Sequence, residues 1–206
     1  MDKHKLLAGR LLPGLLVLFA WPATAQAHTQ VESAGPILNG LLHPLGTPSH
    51  LLILLGLGLL AGQKSPLNLK TPMLAFLPLS AAALLLTLTG AIISVYPPVP
   101  ICLALCAGAL VALEVTLPRL GFIALFAAAA LVLGFDSAVE TGTIDAVLKR
   151  LFGTWLSLSL VVFNIAYYVS FWTKQKWQKI GIRVVGSWLI AISFLVLAFF
   201  LKSLKS

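Results

Sequence analysis

Six long apolar runs follow one another along this chain, and they limit it to one kind of solvent. They are, roughly, Ile37 to Ala61, Met73 to Ser94, Pro100 to Leu117, Leu120 to Gly134, Leu151 to Trp172 and Ile182 to Leu201. Most approach the ~20 residues that cross ~30 Å of hydrocarbon at ~1.5 Å per residue. The fourth is shorter. Lipid offers no partner to backbone N–H and C=O groups, so each crossing segment must be helical. Of the 206 residues, 59% are hydrophobic and 10% charged, whereas a soluble domain carries about 25% charged residues. The expected fold is an all-α integral membrane protein with six transmembrane helices. No internal repeat or soluble domain interrupts it.

The first thirty residues read as a targeting segment. Lys3, Lys5 and Arg10 precede an apolar stretch that runs to Trp21, and Ala25-Gln26-Ala27 follows as an A-x-A cleavage site. Residues 1–27 are therefore expected to be a cleavable signal peptide, with 28–206 as the six-helix domain; an uncleaved signal anchor is the alternative. Cleavage after Ala27 exposes His28, whose free amine and imidazole together can chelate a metal ion. The plainer reading makes His28 the first residue of a tail.

Charge sets the orientation. The formal net charge is +8, and the basic residues gather in alternate loops: Lys64 and Lys70, then Arg119, then Lys174, Lys176, Lys179 and Arg183. Those loops are expected to face the cytoplasm. The mature N-terminus and the C-terminus then face the periplasm of a bacterial inner membrane. Trp172 and Trp177 read as interfacial anchors. No basic stretch is interleaved with aromatic residues, so no nucleic-acid partner is expected; the partner surface is the lipid bilayer.

Polar groups in or near the apolar runs call for explanation, because a charge at bilayer depth costs at least ~2.5 kcal/mol on insertion scales. "LLHPLGTPSH" holds His43 and His50, seven residues apart and on one helical face. On an unbroken helix they would stand ~10.5 Å apart along the axis, too far to share one ion. Pro44 discourages helix at His43, Pro48 suits a first helical turn, and Thr47 suits an N-cap. A break there would bring the imidazoles together as metal ligands. The other reading has both at the outer interface, bonded to backbone carbonyls.

"GFDSAVETG" holds Asp136 and Glu140, which share a face if the segment is helical and then suit a divalent cation. The competing reading is a capping box, with Ser137 as N-cap and Glu140 at N3. Glu114 is read within the third run, near its cytoplasmic end, either snorkelling or paired with Arg119. Asn164 sits mid-span and suits an interhelical hydrogen bond. Cys102 and Cys106 lie four apart on one helix face and read as two buried apolar residues, with a metal-binding pair as the alternative. No Ser-His-Asp order, HExxH, glycine-rich phosphate loop or CxxCH occurs. The chain is not expected to be an enzyme or to carry an organic cofactor. An intramembrane metal-dependent hydrolase would need a compact ligand set with an open position.

The signal-like start before a histidine, the six runs, "HPLGTPSH", "GFDSAVE" and "RVVGSWLIAISFLVLAF" resemble the HupE/UreJ family over nearly all of the mature chain. His43, Gly46 and His50 match its first-span pattern, but Ser49 stands where that pattern has Asp. Phe135, Asp136, Ser137 and Glu140 match a second element, and Arg183, Gly186, Ser187 and Trp188 a third. The resemblance implies a nickel or cobalt permease tied to hydrogenase or urease maturation proteins. It implies that His43, His50, Asp136 and Glu140 form one site, with a divalent metal ion as substrate. The Ser49 departure removes a negative charge from that site. A non-transporting accessory membrane protein with a degenerate site is the alternative.

Overall fold

A computed structural model describes residues 35–63, 69–89, 95–139 and 142–203. The expected signal peptide, His28, Lys64, Glu140 and Ser206 lie outside them. Within the described residues the regular elements are all helical: α1 (Gly35–Gly46), α2 (Pro48–Gly62), α3 (Lys70–Leu86), α4 (Pro98–Ala112), α5 (Arg119–Phe135), α6 (Ile144–Trp172) and α7 (Lys176–Ser203), with a 3-10 turn at Thr87–Thr89 after α3.

The first apolar run is two helices, bent by 76° at Thr47. Pro48 opens α2 at a first-turn position, where its missing N–H costs nothing. Pro44, expected to discourage helix at His43, instead lies inside α1. Its ring removes the N–H that the Gly40 carbonyl would accept. The Thr154 hydroxyl of α6 donates to that carbonyl at 3.1 Å, and it lies equally close to the Arg150 carbonyl. The approach is possible because a side chain at Gly40 would strike the Arg150 carbonyl, and one at Gly153 the Ile37 carbonyl. Thr47 occupies the N-cap position of α2 with extended backbone, but its hydroxyl turns back to donate to the His43 carbonyl at 2.9 Å.

Helix α2 is the centre of the bundle. Eleven of its 15 residues are buried, as expected for a helix that is apolar on every side. In lipid the hydrophobic effect does not favour helix on helix over helix on lipid. Close packing and interhelical hydrogen bonds hold the bundle, each such bond worth ~0.6–2 kcal/mol. Small residues supply the packing. Gly56 lies against Ala107 of α4, Gly58 and Gly62 against Ile165 and Val169 of α6, and Gly134 of α5 against Ala83 of α3. Trp155 of α6 adds a hydrogen bond from its indole N–H to the Leu77 carbonyl of α3 at 3.0 Å.

Neighbouring contacts fix the helix directions. Gln63, after α2, donates to the Val111 carbonyl at the end of α4 at 3.1 Å, so α2 and α4 run the same way. Arg183, early in α7, donates to the Ala112 carbonyl at 2.9 Å, so α7 runs opposite to α4. His50, at the start of α2, meets Asp136, just past the end of α5. One end of the bundle thus holds the α1–α2 break and the α5–α6 connection. The other gathers Gln63, Glu114 and Arg183.

Three helical stretches are long and apolar enough to cross a membrane: Lys70–Thr89, Ile144–Trp172 and Lys176–Ser203, or four with the bent pair counted as one. The third and fourth runs form helices of 15 and 17 residues, about 22 and 26 Å long. The third stops short of Leu117 because Glu114 takes a left-handed conformation at φ 53°. The Glu114 N–H then bonds the Val111 carbonyl and the Val115 N–H bonds the Leu110 carbonyl, a Schellman termination. Glu114 therefore lies past the helix, not in it, and its carboxylate faces Arg183 at 4.0 Å, not Arg119 as expected. Cys102 and Cys106 are exposed, contrary to expectation. The packed face of α4 is Ala104, Ala107, Gly108 and Val111, which turns the cysteines outward.

Candidate metal centre

The break at Thr47 decides the geometry of the two histidines. His43 ends up in the last turn of α1 and His50 in the first turn of α2. Folding the axis there brings their ring centroids to 5.5 Å, with the planes at 83°. Two metal–nitrogen bonds of ~2.1 Å in line separate ring nitrogens by ~4.2 Å. Rings whose centres are this close can share one ion, which the unbroken helix would forbid.

Asp136 reaches the same place from another helix. It is the C-cap of α5, and its Oδ2 lies 2.7 Å from His50 Nε2. His50 is fully buried, whereas the Asp136 side chain is 28% exposed. A carboxylate only accepts, so Nε2–H is the donor, and in the neutral ring Nδ1 carries the lone pair. That Nδ1 is buried with no hydrogen-bond partner among the described residues, and so is His43 Nε2. Buried polar atoms in folded proteins are nearly always paired, so two orphan nitrogens on adjacent rings mark the place. Asp136 also stands at the C-terminal end of α5, where the helix dipole is negative, so carboxylate and dipole together favour a cation.

The arrangement is a pair of rings backed by one carboxylate. Among the described residues no three His, Cys, Asp or Glu side chains are grouped to enclose an ion. The helix that a shared face of Asp136 and Glu140 would need stops at Phe135, and the chain turns at Asp136 and Ser137. Ser137 does not open a helix, since residues 138–139 are not helical. Ser137 donates its hydroxyl back to the Leu133 carbonyl at 2.7 Å, and the N-cap of the next helix is Thr143, whose hydroxyl oxygen accepts from the Ala146 N–H at 3.4 Å. Glu140 and His28 lie outside the described residues. Ser49 is half-buried next to His50, and Gly46 has open space where a side chain would be.

The pattern of the HupE / UreJ protein family matches residues 15–197. The chain belongs to the HupE/UreJ family. This is a transporter family, associated with nickel and cobalt transport for hydrogenase and urease. No curated protein matches the chain, and no solved structure does. In this HupE/UreJ protein the first-span histidines and the Asp of the second element meet in space, though 86 residues separate His50 from Asp136. The final element has a different part. Arg183 holds the end of α4, and Gly186 lets α7 approach the Ala112 backbone.

Thr154 is the supporting residue that the sequence hides. Proline at 44 announces that the Gly40 carbonyl needs a donor, but nothing in the sequence says which helix provides it.

Proposed function

We propose that this protein is an inner-membrane permease for divalent nickel or cobalt, with His43 and His50 as the ligands that pass the ion into the bundle. The observation that carries this reading is the pair of orphan buried nitrogens, His43 Nε2 and His50 Nδ1, on rings 5.5 Å apart. Imidazole suits both metals. Asp136 is the positioning residue: a carboxylate bonded to the far nitrogen of a ligating histidine fixes the ring and raises its basicity. Two ligands on a proline-bent segment hold an ion loosely, which suits a carrier that must also release it. His28 and Glu140 are proposed to collect the ion before the histidines. Hydrogenase or urease maturation proteins are the proposed recipients.

The proposed topology has six crossings. The bent α1–α2 pair counts as one, and α4 and α5 cross where their short length thins the bilayer locally. The end that carries Arg119, Lys174, Lys176, Lys179 and Arg183 faces the cytoplasm. The metal site then opens to the periplasm, along with both termini of the chain after cleavage at Ala27. A reporter after Ser206 that works only in the cytoplasm would reverse this map.

The direct test is uptake of nickel and cobalt by cells that express the chain. His50→Ala is expected to reduce uptake to the background of cells without the protein, at unchanged membrane abundance. Uptake of both metals equal to that of the parent would exclude the site.

A further inference from the structure

We propose that the lipid-facing stripe of α6 around Asn164 is a contact between two copies of this chain. Asn164 is exposed, eight residues before Trp172, or ~12 Å along the helix. With Trp172 at the interface, its carboxamide lies at hydrocarbon depth. One amide hydrogen is used on the helix's own backbone, to the Leu160 carbonyl at 2.7 Å. The side-chain carbonyl and the second amide hydrogen have no partner among the described residues. Lipid tails supply none, so whatever covers Asn164 must provide both a donor and an acceptor at this depth.

A second copy meets that requirement. All copies insert the same way, so a two-fold axis between them runs along the membrane normal, and each residue faces its own counterpart. Two Asn164 carboxamides then satisfy one another, each both donating and accepting. The surrounding stripe has the spacing of a helix–helix seam. Leu160, Asn164, Tyr167 and Phe171 recur at intervals of four, three and four, and the three apolar members are 45%, 47% and 64% exposed. Tyr167 stacks on Phe163 at 6.3 Å and 11°, and lies 6.0 Å from Phe171, so the rings form a preformed wall beside the amide. The N-terminal stretch "LLPGLLVLFA" at 11–20 offers no polar side chain and cannot pair with Asn164 in the same way. This inference needs only that α6 spans the membrane. It stands or falls independently of metal transport.

The test is disulfide cross-linking of the full chain in vesicles. Exposed Cys102 and Cys106 are first replaced through Cys102→Ala and Cys106→Ala. In that background Leu160→Cys and Phe171→Cys are each expected to cross-link two copies on oxidation. Trp188→Cys, at a 65% exposed position on α7, is expected not to. Adding Asn164→Leu should raise the dissociation constant of the dimer in the bilayer roughly tenfold, while Asn164→Gln should preserve the cross-link. Absence of a cross-link at both stripe positions, equal cross-linking at Trp188→Cys, or a dimer indifferent to Asn164→Leu would each overturn the proposal.

Discussion

At one end of the bundle the carbonyls of Ala109, Leu110, Val111 and Ala112 all accept hydrogen bonds, from Leu113, Val115, Glu114 and Arg183, with Gln63 adding a second bond to Val111. At the other end His43 Nε2 and His50 Nδ1 are buried with no described partner. The two ends face the same physical problem, since polar groups near lipid cost free energy unless paired. The first end solves it within the protein. Arg183 and Gln63 bind α2, α4 and α7 together, and even the left-handed Glu114 serves to stop a helix. The second end leaves it unsolved at two atoms, both of a kind that can ligate metal. In the proposed reading the satisfied end is structural and the unsatisfied end takes the metal ion.

Substitutions can break or sharpen that contrast. Asp136→Asn keeps the size of the side chain but removes the charge that orients His50. Metal affinity of the purified protein is expected to fall ten- to hundredfold with little change in melting temperature. Calorimetric titration with cobalt measures this, and an unchanged affinity would mean that Asp136 does not act through His50. Thr154→Val leaves the Gly40 carbonyl without its donor beside Pro44. A loss of about 1–3 kcal/mol is expected in denaturant unfolding, together with weaker metal binding as the bend loosens. A variant as stable as the parent would show that Pro44 needs no such support. Arg183→Leu, at the satisfied end, is expected to cost about 1 kcal/mol while metal affinity stays as in the parent. If it altered affinity as much as Asp136→Asn does, the division of labour between the ends would fail. The smallest effect is expected for Ser49→Asp, a few-fold gain in affinity from a negative charge beside His50, read in the same titration. A loss there would mean that residue 49 faces away from the ion.

How much of this was legible depends on the scale of the pattern. Each helix among the described residues falls on an apolar run, with two on the first run, because lipid forces long unbroken hydrophobicity on any segment that crosses it. Their ends were less legible. A helix can stop at a non-glycine residue such as Glu114 when a distant group like Arg183 compensates, and no local signal announces that. The same long-range effect hid the true partner of Glu114. "HPLGTPSH" did announce a break, through Pro48 and Thr47, but the helix runs on through Pro44 because Thr154 restores the lost hydrogen bond. The exposure of Cys102 and Cys106 is not legible, because a helix apolar on all sides gives no sign of which face meets protein. His50 and Asp136 each stand out in the sequence as polar groups among apolar ones. Their contact was legible only as far as loop charge placed both at one end.

The central claim is that His43 and His50 ligate the same ion. X-ray absorption at the cobalt edge of the purified, cobalt-loaded full chain tests it most directly. The account predicts two imidazole nitrogens at ~2.1 Å, with one lost in His43→Ala and one lost in His50→Ala. A spectrum without imidazole scattering, or one that neither substitution changes, would contradict it.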